Sequence, residues 1–152
     1  MNHSNKTVCV VGASGLLGSN VLKEALARGY KVNGTLRDVN APGKATFLNA
    51  LPNAEANLRL FEAEMADKAS FDDAFSNVDC VFIACLIPVY KGPTGNLARE
   101  MDDEQGYAEI IMPTVNGCLN IMNAAAKQRV KECCHLQQHK QYEPNSSSTN
   151  QE

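Results

Sequence analysis

The first apolar run, Val8-Cys9-Val10-Val11, stops at Gly12, and Gly15 and Gly18 follow at three-residue spacing. Leu17, Val21, Leu22, Ala25 and Leu26 then recur with a helical period, and Gly29 stands just past them. A short apolar run has strand length, and a 3.6-residue stripe is a helix face. The pattern therefore predicts a strand, a tight turn and a helix from Leu16 to Arg28 that ends at a left-handed glycine. Tyr30, Val32, Gly34 and Leu36 alternate along a second strand that ends in Arg37-Asp38. A short helix is expected over 41–51, after Pro42 and before Pro52-Asn53, and a third strand over 57–63.

In Ser70-Phe-Asp-Asp-Ala-Phe75, Ser70 is placed to cap a helix, with Asp73 at the capping-box position. Val78 to Ile87, VDCVFIACLI, shows little alternation, as a central parallel strand covered on both faces would. The polar stretch 88–103, with Gly92, Pro93 and Gly95, is a candidate substrate-side loop. A long helix over 104–127, bent near Pro113, leads to a fifth strand over 130–136. From 137 to 152 Tyr142 is the sole hydrophobic side chain, so this stretch reads as a disordered polar tail.

Strands alternating with helices define an α/β chain. The expected architecture is a doubly wound, Rossmann-like parallel sheet of about five strands in the order 3-2-1-4-5, spanning 1–136, with its site between strands 1 and 4. At 152 residues, 44% of them hydrophobic, the chain suits one such domain. A formal net charge of −3 and scattered Lys and Arg argue against a nucleic-acid surface. The sequence has no apolar stretch approaching the roughly 20 residues of a membrane helix, and the opening MNHSNK lacks a signal core, so the expected compartment is the cytoplasm. Six cysteines form no Cys-x-x-Cys. Cys133, Cys134, His135 and His139 have no second ligand pair at zinc spacing, so no metal site is expected.

The glycine spacing has a chemical meaning. Gly12 suits the sharp turn, Gly15 lets a ligand approach the main chain, and Gly18 lets the helix lie close on the strand. The first amides of that helix have no intrahelical acceptors, so a pyrophosphate can be held there without a lysine. At the end of the second strand a guanidinium suits the 2′-phosphate of NADP and a carboxylate suits the ribose hydroxyl of NAD. Arg37 favours NADP(H), with Lys44 a candidate second charge, while Asp38 leaves NAD(H) possible.

Four segments then carry a family resemblance: VVGASGLLGSNVLKEALARGYKVNGTLRD, FEAEMADKASFDDAF, VDCVFIAC and PTVNGCLNIMNAA. From Thr7 to about Lys131 the chain resembles the N-terminal part of an extended short-chain dehydrogenase/reductase, nearest the dihydroflavonol reductase and cinnamoyl-CoA reductase group of the epimerase/dehydratase superfamily. The resemblance implies that backbone at Ser14, Gly15, Leu16 and Leu17 holds pyrophosphate and that Arg37 and Lys44 hold the 2′-phosphate. It also implies that Glu64 and Met65 meet adenine, that Ala84 and Cys85 line the path to nicotinamide, and that Asn116 helps shape the site. The parent activity so implied is reduction of a ketone or aldehyde. Hydroxysteroid dehydrogenases and sugar-nucleotide epimerases are the alternative parents.

Departures from the family bear on activity. Glu64 replaces a usual Asp, Ile83 a frequent His, and Leu86 a usual Ser or Thr. Family chemistry also needs a Tyr and a Lys four residues later. The four tyrosines are followed at that spacing by Gly34, Thr94, Ile111 and Ser146, so no catalytic residue is assigned. After Lys131 the family pattern gives way to ECCHLQQHKQYEPNSSSTNQE, as a shifted reading frame or an alternative end would produce. The expectation is a truncated NADP(H)-binding portion of a reductase, inactive by itself, with a carbonyl substrate only in a complete relative. The alternative is a non-catalytic NADP(H) sensor or a partner of a full-length reductase, and a dimer through the long helix is possible.

Overall fold

Strands Thr7–Val11 (β1), Lys31–Leu36 (β2), Leu58–Glu62 (β3), Cys80–Ile83 (β4) and Glu132–His135 (β5) form one sheet in the order β3-β2-β1-β4-β5. Each neighbouring pair is parallel. The structure is a computed structural model that describes residues 5–85 and 91–136. The expected tail over 137–152, the end of the fourth strand at Leu86-Ile87 and the start of the loop at 88–90 lie outside the described residues. The sheet order and the parallel pairing are those expected from the sequence.

Helix Leu16–Ala27 (α1) and the short helices Lys44–Asn49 (α2) and Ala54–Asn57 (α3) lie on one face. There Val8, Val10, Val32 and Leu36 pack with Leu22, Leu26 and Leu48. On the other face Cys9, Val11, Val81 and Ile83 meet Phe71, Phe75, Ile121 and Ala124, carried by or beside Asp72–Phe75 (α4) and Met112–Lys127 (α6). β1 is thus buried on both sides, which its unbroken apolar run requires. Each large side chain so enclosed contributes about 1.5–3 kcal/mol. Register sets Val11 beside both Thr35 and Ile83, so the carboxyl ends of β1, β2 and β4 are level.

Several elements differ from the sequence pattern for identifiable reasons. The helix expected over 41–51 is shorter, and Asn53, with φ 66°, starts a separate single turn, α3. Ser70 caps no helix. Its Oγ accepts from the Glu64 amide at 3.1 Å and donates to the Glu64 carbonyl at 2.8 Å, because the chain reversal after β3 has backbone groups of its own to satisfy. α4 starts from Phe71 without a side-chain cap. The fourth strand is covered fully on one face only: Val81 and Ile83 are buried, but Cys80 and Phe82 are half-buried beside a groove of about 570 Å³ between α1 and β4.

The long helix starts with Asp103–Gly106 (α5), whose N-cap Asp102 accepts from the Gln105 amide at 2.7 Å. It widens into a π-helical turn at Tyr107–Ile111 before α6. Pro113 sits two residues beyond that turn. A proline has no amide to donate and its ring crowds the preceding carbonyls, so widening the turn relieves the misfit that the sequence flagged as a bend. β5 is an edge strand with Glu132, Cys133 and His135 exposed.

Candidate functional site

β1 ends in the glycine turn. Gly12 has φ +82°, and a Cβ there would stand 2.8 Å from Cys85 Cβ. A Cβ on Gly18 would stand 2.1 Å from the Gly12 carbonyl oxygen, so close helix-on-turn contact requires glycine. Gly15 differs: its φ is −76°, and the nearest atom to a Cβ would be the Gly12 oxygen at 3.4 Å. Nothing in the fold excludes a side chain at Gly15, so the space it leaves is open to a ligand. The turn is pinned to β2, where Thr35 Oγ1 accepts from the Gly12 amide at 3.3 Å and the Thr35 carbonyl accepts from Ala13 at 2.9 Å.

A cleft of about 1110 Å³ opens at this end of the sheet. Gly12, Ser14, Gly15, Arg37, Lys44, Glu64, Met65, Ala84, Cys85 and Asn116 all line it. Leu16, Leu17 and Gly18 do not line it: Leu16 is 77% exposed, Leu17 is partly exposed, and Gly18 is buried under the turn. Leu16 and Leu17 still hold first-turn positions, whose amides an α-helix leaves without internal acceptors.

Arg37 and Lys44 are both exposed and share the cleft. Among the described residues no carboxylate pairs with either. Asp38 is engaged locally, with Oδ1 accepting from the Asn40 amide at 2.8 Å. Met65 Sδ lies 3.6 Å from Cys85 Sγ. Burial pushes the Cys85 thiol up to about 11, so it stays neutral near pH 7.

Sequence reasoning missed three residues that shape the cleft. Thr35 holds the glycine turn. From α6, Gly117 leaves room for the Met65 side chain, and the buried Asn120 donates to the Met65 carbonyl. A polar residue on the buried stripe of a helix was their one available signal, and it names no partner. Asn33, buried on β2, donates from Nδ2 to the Ala74 carbonyl at 2.8 Å and locks α4 to the sheet.

A glycine turn at the switch point of a doubly wound parallel sheet defines a Rossmann-like domain. The chain belongs to the NmrA-like family, whose profile matches residues 4–105. Over 131 residues it is 39% identical to dihydroflavonol 4-reductase of Arabidopsis thaliana, covering 85% of this chain and 31% of that protein. Vestitone reductase from alfalfa superposes with a TM-score of 0.62 at 30% identity, over 85% of this chain and 35% of its own. Gre2 from Candida albicans in complex with NADPH shares the fold, with a TM-score of 0.62 at 22% identity over 86% of this chain and 36% of its own. The chain thus spans about a third of the length of the relatives it matches. The similarity to the N-terminal part of dihydroflavonol reductases that the sequence suggested is real.

Proposed function

We propose that this chain is the NADP(H)-binding portion of an oxidoreductase that reduces a ketone or aldehyde. The observation that carries the reading is convergence: the glycine turn, the exposed Arg37 and Lys44, and the Glu64-Met65 backbone all line one cleft. Pyrophosphate would lie on the amides from Ser14 to Leu17, where a helix start favours negative charge. Arg37 and Lys44 would take the 2′-phosphate, and adenine would lie against Glu64 and Met65. Ala84 and Cys85 would border the nicotinamide, whose bound chemistry is hydride transfer. A neutral Cys85 thiol puts no charge beside it.

Titration calorimetry with NADPH and NADH tests this reading. Charge-assisted bonds to the 2′-phosphate are expected to favour NADPH by about 10- to 100-fold. No heat at millimolar cofactor would overturn the reading. The sequence has no Tyr-x-x-x-Lys, the pair with which the family chemistry protonates a carbonyl oxygen. A panel of ketones and aldehydes should therefore give no sustained NADPH oxidation, and turnover would refute that part.

The second reading is a non-catalytic NADP(H)-binding sensor or a partner of a full-length reductase, and one observation favours association through the long helix. Tyr107, Ile111, Val115, Leu119 and Met122 form an apolar stripe along the long helix, each 44–55% exposed. A two-fold axis at Val115 would set Ile111 against Leu119 of a second copy. Two copies therefore match in their apolar face.

A further inference from the structure

The far wall of the cleft is built by contacts that cofactor binding itself does not explain. Asn120, buried on α6, donates from Nδ2 to the Met65 carbonyl at 2.8 Å. One turn earlier Gly117 makes room for the Met65 side chain: a Cβ there would stand 2.4 Å from Met65 Cε and 3.0 Å from Met65 Cβ. On its other side Met65 touches Cys85, which in turn packs on Gly12. A contiguous line of contacts therefore runs from the glycine turn through Met65 to α6. The loop that bears Met65 is otherwise closed mainly on itself, through Asp67 to the Glu64 carbonyl and Ser70 to Glu64. Asn120 ties it to a helix.

We propose that Asn120 is a positioning residue for the adenine end of the cleft. Its carboxamide fixes the Met65 carbonyl, and so the Glu64-Met65 backbone against which a purine lies, while Gly117 lets the Met65 side chain seat on the helix. This deepens the dinucleotide reading and rests on it. Without the carboxamide, the Met65 carbonyl loses its donor and must turn towards water, carrying the loop with it.

The test compares Asn120→Ala with Ile121→Val, a core change on the same helix that does not line the cleft. In Asn120→Ala the Kd for NADPH and for adenosine 2′,5′-bisphosphate should rise about tenfold, with Ile121→Val unchanged. In the ligand-free protein, amide exchange over residues 64–69 should quicken about tenfold in Asn120→Ala alone. Gly117→Ala, which displaces Met65 while keeping Asn120, should weaken both compounds as well.

Wild-type affinity in Asn120→Ala, equal weakening in Ile121→Val, or unaltered exchange over 64–69 would overturn the proposal. If the unmodified chain binds neither compound, the dinucleotide reading falls, and the adenine assignment with it. Exchange over 64–69 would then still decide whether Asn120 positions the loop.

Discussion

Three glycines in one turn do three different jobs, and substitution separates them. Gly18→Ala would drive a Cβ into the Gly12 carbonyl, backbone against backbone, so a loss of about 2–3 kcal/mol is expected in denaturant unfolding. Gly15→Ala meets only ordinary contact within the protein and has an unstrained backbone, so it should cost no more than the roughly 1 kcal/mol of a poorer helix N-cap. It should nevertheless weaken NADPH by at least about tenfold, because the new methyl occupies ligand space. Equal destabilisation by the two changes would refute this division. Arg37→Ala probes the same cleft at its other end: NADPH affinity should fall about 10- to 100-fold while NADH affinity stays level. A parallel fall for both cofactors would remove Arg37 from the 2′-phosphate.

Between elements, one carboxylate joins the amino-terminal edges of three strands. Asp79 accepts from the Thr7 amide at 3.2 Å and from Lys131 Nζ at 2.7 Å, so the starts of β1, β4 and β5 meet there. The Lys131 hydrogen bond, then the Thr7 amide, hold the Asp79 carboxyl below its ordinary value. A depressed folded value means the contribution is present above the unfolded pKa, about 3.9, and is lost as pH falls through the lower folded one. Asp79→Asn should therefore lower Tm at pH 7 and flatten the drop in Tm between pH 5 and pH 2. An unchanged acid limb would show that the pair contributes nothing.

Across the whole molecule, the uneven cover of the sheet is the dominant feature. One core is closed by α4 and α6, the other by α1, α2 and α3, yet Cys80 and Phe82 on β4 face a groove and the outer stripe of α6 is half exposed. Exposed apolar area on this scale favours association. If the stripe pairs two copies, sedimentation velocity at micromolar concentration should give a dimer, and Leu119→Glu should give a monomer without loss of NADPH binding. A wild-type monomer at those concentrations would exclude the pairing.

The sequence alone determined the strand order, the parallel sheet and the glycine turn, and it set Arg37 at the end of β2. Those features rest on local signals: an apolar run, a helical period, a residue able to turn left-handed, and a charge at a strand end, whereas Glu64, Met65, Ala84, Cys85 and Asn116 are named only through the family resemblance. Its failures came where a residue's role depends on contacts that exist only in the folded chain. Ser70 has the look of a cap, but the loop after β3 takes its hydroxyl. Asn120 had no visible role until folding brought it within 2.8 Å of Met65, 55 residues away. Periodicity encodes which face of an element is buried, but only packing decides which carbonyl a buried amide meets.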